Sequence, residues 1–156
     1  IGPGSSDNND RELAMTDAER LAIEWECSKL CHAFANYGDV NDFVALANLF
    51  TEDGSMSRPS VPDVDIKGRQ TIIDAFGKRP PLVIRHIVTN VQIDVISATE
   101  ARGFSLVLWL SAPQVDAPLP LLAGPMQVGE FRDVYVKTAE GWRFKERKGR
   151  LSLKTG

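Results

Sequence analysis

One histidine in the sequence lies where an acid–base catalyst could act. His86 sits in the apolar, strand-forming residues 84–88 and shares a face with Ile84 and Val88. Imidazole is the side chain that changes charge nearest neutral pH, so it can act as a general acid or base when it borders a cavity. The residues alone leave a second interpretation open, a core histidine satisfied by one hydrogen bond.

Polar side chains in the later predicted strands are candidates for binding the polar end of a substrate. Glu130 and Arg132 share one strand face with three valines and a methionine, so they must pair or line a wet cavity. Ser111 ends another strand on the face of Trp109, and Arg150 in the last strand could bind an oxyanion or carboxylate. The alternatives are an ion pair at the sheet edge for Glu130 and Arg132, a solvated serine at 111 and an exposed arginine at 150.

Sequence motifs for cofactors and metals are not found. The chain has no Gly-x-Gly-x-x-Gly, no phosphate-loop motif, no Gly-x-Ser-x-Gly and no histidine pair at metal-ligand spacing. We therefore expect no cofactor and no metal, and a chemistry carried by side chains that the fold brings together.

Length and composition bound the kind of protein. The 156 residues, 43% hydrophobic and 25% charged, predict one ordinary domain, and a net charge of −3 gives no electrostatic reason to bind nucleic acid or an anionic membrane. Cys27 and Cys31 lie four apart on one helical face, which favours free thiols in a reducing compartment. With no transmembrane run and no visible secretion signal, we expect a cytoplasmic protein.

The first part of the chain predicts helices. Residues 1–15 are rich in Gly, Ser, Asn and Asp and predict a flexible leader, ahead of one domain over 16–153. Thr16 and Glu19 have capping-box spacing, and residues 36–38 should break the helix that they open. Asn41 is the expected cap of a second helix. The three helices are predicted at about residues 16–35, 41–50 and 68–78.

The second part of the chain changes to a period of two and predicts antiparallel strands. Helices followed by long strands indicate an α+β domain with helices packed on one face of a curved sheet. Residues 54–66 predict a short strand and an irregular loop, and the proline-rich connection 112–125 predicts a surface loop or a flap. The long strands are predicted at about residues 83–96, 100–111, 126–138 and 142–153.

Three segments, in their order and spacing, resemble one family. They are DVNDF and LFTEDG within residues 39–54, RHIVTNV at 85–91, and GEFRDVY at 129–135 closing with GWRF at 141–144. Together they resemble the NTF2-like superfamily, specifically its SnoaL-like branch, which contains scytalone dehydratase and bile-acid 7α-dehydratase. The resemblance covers about residues 16–153.

The resemblance implies a fold and a catalytic pair. The fold is a cone-shaped α+β barrel, with helices packed in a curved, mostly antiparallel sheet around an apolar cavity. Asp39, which alone is typical of a turn or cap, would pair with His86. The carboxylate would hold one ring nitrogen and fix the tautomer, and the other nitrogen would face the cavity as a base.

Some positions depart from the patterns of that branch. Ser111 stands near the second cavity histidine of scytalone dehydratase-like enzymes, and Phe34 stands near the tyrosine of bile-acid dehydratase-like enzymes. Arg150 matches a late arginine of the bile-acid type to within about a residue. Glu130 and Arg132 stand where scytalone dehydratase has small polar pocket residues, so the resemblance implies a charged pocket wall.

We therefore expect a cofactor-independent, dehydratase-like lyase or isomerase acting on a small apolar, even polycyclic, substrate. Its catalytic residues would be Asp39 and His86. The residues that bind the substrate would be Phe34, Trp109, Ser111, Glu130, Arg132 and Arg150. Two alternatives stay open: a noncatalytic small-molecule-binding NTF2-like domain, and a SnoaL-type polyketide cyclase that uses an acidic residue as base. The resemblance also implies a homodimer or homotrimer.

Overall fold

Three helices and a six-stranded sheet account for the regular structure of the residues that the computed structural model describes, 14–116 and 118–156. The α+β class is therefore confirmed, while residues 1–13 of the expected leader lie outside the described residues. The helices are α1 (Asp17–Asp39), α2 (Phe43–Ala47) and α3 (Arg69–Gly77). The strands are β1 (Phe50–Arg58), β2 (Val61–Lys67), β3 (Leu82–Val95), β4 (Glu100–Pro113), β5 (Gln127–Thr138) and β6 (Gly141–Lys154).

The sheet has the order β2-β1-β6-β5-β4-β3. Every neighbouring pair is antiparallel except β1 and β6, which are parallel, so the sheet is mixed. The four long strands predicted from the alternation of side chains are confirmed to within two residues at each end. Alternation is a strong signal here because one face of these strands is buried and the other is not.

The first helix is longer than its sequence predicts. The predicted break at residues 36–38 is wrong, since α1 continues to Asp39 and closes with the Val40 N–H donating to the Asn36 carbonyl. Gly38 is buried inside this last turn, and packing there overrides its low helix propensity. At the other end the predicted capping box is confirmed: the Glu19 N–H donates to the Thr16 hydroxyl, and the Thr16 N–H donates to the Glu19 carboxylate.

The chain between α1 and β2 also differs from its prediction. The second helix covers only Phe43–Ala47, and its cap is the Asp42 carboxylate, which accepts from the Ala45 N–H at 3.0 Å. Asn41 instead takes a left-handed φ of 60°, which a side chain able to bond its own backbone tolerates. Residues 54–66, expected to be a strand and an irregular loop, belong to the paired strands β1 and β2.

The core lies between α1 and the sheet. The helical stripe predicted on α1 is buried, and Phe34 packs edge-to-face against Phe50, Phe76, Phe131 and Phe144 at ring-centroid distances of 6.0–6.3 Å. Phe34 stands one turn before the end of α1, so this aromatic cluster fixes where the helix ends over the sheet. No helix in the described part of the chain is long and apolar enough to span a membrane.

Candidate functional site

Asp39 and His86 meet where the end of α1 crosses β3. The His86 Nδ1 lies 2.6 Å from the Asp39 Oδ1, and the His86 backbone N–H donates to the Asp39 Oδ2 at 3.0 Å. Their side chains are 12% and 16% exposed respectively. Because both carboxylate oxygens are held by one residue, the ring has a fixed orientation. An ionised carboxylate can only accept, so Nδ1 carries the proton and Nε2 keeps its lone pair.

Local structure explains why the two residues meet. Asp39 is the last residue of α1, and the left-handed Asn41 turns the chain back so that the Asp42 N–H donates to the Tyr37 carbonyl at 2.9 Å. His86 stands opposite Trp109 in the β3–β4 ladder. The extra turn of α1, which the sequence did not predict, therefore carries the carboxylate to the sheet.

His86 lines a cavity of ≈ 290 Å³ between the helices and the sheet. This volume is at the low end of the range of small-molecule sites, about 300–1,000 Å³, and most of the lining is apolar. The predicted binding residues Phe34 and Trp109 also line it. The other lining residues are Met56, Arg58, Pro59, Ser60, Phe76, Arg79, Pro80, Leu82, Ile84, Val107, Gln127, Gly129, Phe131 and Leu151.

Two arginines of this lining were missed by the sequence analysis. Arg58, the last residue of β1, donates from Nη2 to the Ala75 carbonyl, and Arg79, two residues after α3, donates to the Gly38 carbonyl at 3.0 Å. Burial lowers the pKa of both guanidinium groups, and the charge of Arg58 lowers the pKa of Arg79 further. The signal in the sequence is that each arginine lies at or just after the end of an element and directly precedes a proline.

Ser111 lies on the cavity side of the sheet but outside the cavity lining. It is buried, 7% exposed, and its carbonyl accepts from the Ala123 N–H at 3.2 Å. A Cβ at Gly124 would lie 3.6 Å from the Ser111 hydroxyl oxygen. Residues of the proline-rich connection thus cover Ser111, and its side chain is not accessible from the cavity.

Glu130, Arg132 and Arg150 are not brought to the cavity. In β5 the buried side chains are at odd positions, such as Phe131, so Glu130 and Arg132 point to the outer face. There the Arg150 Nε donates to the Glu130 carboxylate at 2.7 Å, and Arg132 lies 3.9 Å from it. These ion pairs satisfy the charges, and the charged pocket wall that the resemblance implied is not formed by these three residues.

A second missed feature is a charged network under the floor of the cavity. The Arg147 Nη1 donates to the Asp133 Oδ2 at 2.6 Å, and the Tyr135 hydroxyl donates to the same oxygen at 2.9 Å. The Arg147 guanidinium lies 3.9 Å from the centroid of the Phe131 ring, and Phe131 itself lines the cavity.

Burial raises the pKa of Cys27 on α1 to about 12, so its thiol stays protonated. In the described parts of the chain no three His, Cys, Asp or Glu side chains cluster as metal ligands.

Comparisons with known proteins identify the family and the fold of the chain. A family model described as SnoaL-like domain matches residues 19–148. A structure of a protein assigned as a scytalone dehydratase, from Novosphingobium aromaticivorans DSM 12444, is similar with a TM-score of 0.75 and 25% identity, over 90% of this chain and 91% of that one. No curated protein sequence matches the chain.

Two further solved structures are similar. The hexachlorocyclohexane dehydrochlorinase LinA-type3 of Novosphingobium barchaimii LL02 has a TM-score of 0.74 and 20% identity over 90% of this chain and 93% of that one, which shows the fold alone. A protein of Catenulispora acidiphila in complex with S-DNPA has a TM-score of 0.65 and 25% identity over 84% of this chain and 94% of that one. These neighbours have the expected NTF2-like cone fold.

Proposed function

The chain belongs to the family of SnoaL-like domains, and from its Asp39–His86 pair we propose that it is a cofactor-independent lyase or isomerase. One observation carries the proposal: Asp39 holds His86 Nδ1 at 2.6 Å while the same ring lines an apolar cavity. The cavity volume of ≈ 290 Å³ favours a small apolar substrate over a large polycyclic one.

In the proposed reaction His86 is the general base and Asp39 its orienting partner. The Nε2 lone pair takes a proton from a carbon next to a carbonyl, or from one opposite a leaving group, and the C–H electron pair moves into the new double bond. The imidazolium that forms is stabilised by the Asp39 carboxylate, whose second oxygen stays on the His86 backbone N–H. In an isomerase His86 returns the proton to another carbon; in a lyase the leaving group departs with the displaced electron pair.

The two positions that depart from the family pattern favour some reaction classes over others. Phe34 and Ser111 replace a tyrosine and a histidine that could protonate a leaving group, and Ser111 is outside the cavity lining. The proton must therefore cycle through His86 itself. This favours an isomerase, or an elimination whose leaving group departs as a stable anion, over a dehydratase. The 25% identical protein assigned as a scytalone dehydratase supports the lyase–isomerase class in general.

The alternatives make different use of the same cavity. Among the described residues no carboxylate side chain lines it, which disfavours a cyclase with an acidic base. A noncatalytic small-molecule-binding domain is favoured by the lack of a second acid–base side chain in that lining. The homodimer or homotrimer stays a prediction.

The test uses 5-nitrobenzisoxazole, an activated carbon acid that needs only a base. Removal of its ring proton breaks the N–O bond and releases a coloured phenolate. Because a positioned base contributes on the order of 10²–10⁴-fold, His86→Ala should lower kcat/KM by about that factor. His32→Ala is the matched control, since His32 is exposed on α1 outside the cavity lining.

The rate of this reaction reports on the base alone, because the phenolate forms without help from an acid. A folded His86→Ala protein as fast as wild type would contradict the assignment of the base. Circular dichroism and a thermal melt show whether each variant is folded. A ligand-binding domain would bind the probe without accelerating its ring opening.

A further inference from the structure

We propose that Arg58 and Arg79 form an anion-binding subsite of the cavity, and that the ligand is an apolar carboxylic acid. The statement that this ligand is also the substrate rests on the proposed function. The binding site itself does not, because it requires only the two guanidinium groups and the apolar walls around them. Arginine is suited to this role since its planar donors match the two oxygens of a carboxylate.

The two cations lie near the same aromatic ring of the cavity lining. The Arg58 guanidinium lies 4.9 Å from the centroid of the Phe76 ring, and that of Arg79 lies 5.0 Å from the same centroid. The two charges are therefore no farther apart than the sum of these distances. A single carboxylate near this ring can bind one guanidinium group and be attracted by the charge of the other.

Each arginine is held in place from behind. Arg79 also packs against Phe43, at 5.1 Å, while its Nη2 is fixed on the Gly38 carbonyl. Arg58 precedes Pro59, which lies so close to β6 that a Cβ at Gly149 would stand 2.8 Å from the proline Cδ. Both side chains are thus positioned by the fold rather than free in solvent, so little entropy is lost when they bind a ligand.

Neither charge of the pair is met by an ion pair in the described parts of the chain, and only the Asp39 charge acts on Arg79 from a longer distance. Within residues 14–116 and 118–156 no carboxylate lies within ion-pair distance of Arg58 or Arg79, whereas Arg147 pairs with Asp133. The Nε atoms of both cavity arginines are buried and have no hydrogen-bond partner there. Two half-buried cations that repel each other are unfavourable alone, and an anion between them removes that cost.

The subsite is connected to the proposed base through the end of α1. Arg79 donates to the carbonyl of Gly38, the residue before Asp39, and the Asp39 charge raises the pKa of Arg79. An acid anchored at the arginines extends its apolar part along Phe34 and Trp109, which line the same cavity as His86. The ligand therefore reaches the base with one end fixed.

The experiment compares 2-naphthoate with its neutral isostere 2-naphthamide by isothermal titration calorimetry. Wild type should bind the acid about 10- to 100-fold more tightly, the range expected for hydrogen bonds to a charged group. Arg58→Gln and Arg79→Gln should each remove most of that preference and leave the affinity for the amide unchanged. Arg102→Gln is the control, since Arg102 is exposed and pairs with Glu100.

Three results would overturn the subsite. One is wild-type protein that binds the acid no better than the amide, including no binding of either, and this comparison needs no variant to fold. Another is a pair of Gln variants that keep the preference for the acid. The last is a loss of affinity for both ligands alike, which would indicate packing only.

The His86→Ala protein separates this proposal from the proposed function. It should keep the preference for 2-naphthoate, because neither arginine depends on the ring. If it keeps full activity on 5-nitrobenzisoxazole as well, the base assignment fails and the subsite stands. If the ring opening depends on His86 but the acid has no advantage, the subsite fails and the base stands.

Discussion

Replacing Asp39 by asparagine tests the geometry of the proposed base with one change of atom type. The carboxylate accepts from two donors of His86, the ring Nδ1–H and the backbone N–H, one on each oxygen. An amide of the same shape has one acceptor and one donor. It can satisfy the backbone N–H only by turning its NH2 to the ring, which then must accept at Nδ1 and carry its proton on Nε2.

The expected loss follows from these two hydrogen bonds. If the ring kept its productive tautomer, the amide oxygen would accept from the ring and the amide NH2 would face the His86 backbone N–H. That N–H would then be an unsatisfied donor, which costs about 1–3 kcal/mol. Losing the carboxylate beside the imidazolium removes a charged hydrogen bond of about 1.5–3 kcal/mol. Since each 1.4 kcal/mol or so is a factor of ten, the rate should fall by about 10²–10⁴-fold in all.

The assay is again the ring opening of 5-nitrobenzisoxazole, together with the long-range ¹H–¹⁵N NMR spectrum of the His86 ring. We expect the proton to move from Nδ1 to Nε2 in Asp39→Asn. Asp42→Asn is the matched control, because asparagine is as good a helix cap as the aspartate that caps α2. A variant at position 39 with the wild-type rate, or with an unprotonated Nε2, would refute the reasoning.

Two further predictions concern the core. Asp133→Asn leaves the fully buried Arg147 cation without its counter-charge, so the free energy of unfolding measured by urea titration should fall by about 3–5 kcal/mol. The control is Asp65→Asn in the exposed pair with Lys148, which should lower it by under about 1 kcal/mol. Equal small losses in the two variants would show that the buried pair does not stabilise the fold. Cys27, with its pKa raised to about 12 by burial, should resist iodoacetamide at pH 8 until urea unfolds the chain, and prompt labelling of native protein would disprove this.

The sequence predicts the long strands well but selects the wrong face of one of them for the cavity. In β5 the even positions hold Val128, Val134 and Val136, while the odd face holds a glycine, Phe131, Asp133 and Tyr135. By hydrophobicity alone the even face is the better core. The odd face is buried instead because Asp133 is neutralised by Arg147 from β6, a partner whose position no local pattern shows.

The pairing of Asp39 with His86 was predictable from the resemblance, whereas its local geometry was not. The alternation at residues 84–88 predicts the strand of His86, but residues 36–38 contain a helix-disfavouring glycine. Tertiary contacts at Gly38 outweigh that weak preference, since the Arg79 guanidinium donates to its carbonyl. The same hydrogen bond satisfies a carbonyl in the last turn of α1 and positions an arginine in the cavity, so neither feature could be predicted without the other.

The charges around the cavity explain why its base and its proposed anion site belong together. Arg147 lies against Phe131 outside the cavity lining, while Arg58 and Arg79 line the cavity beside Phe76. When His86 removes a proton from carbon, negative charge develops on the substrate. Fixed cations in a low-dielectric cavity stabilise that charge without reorganising.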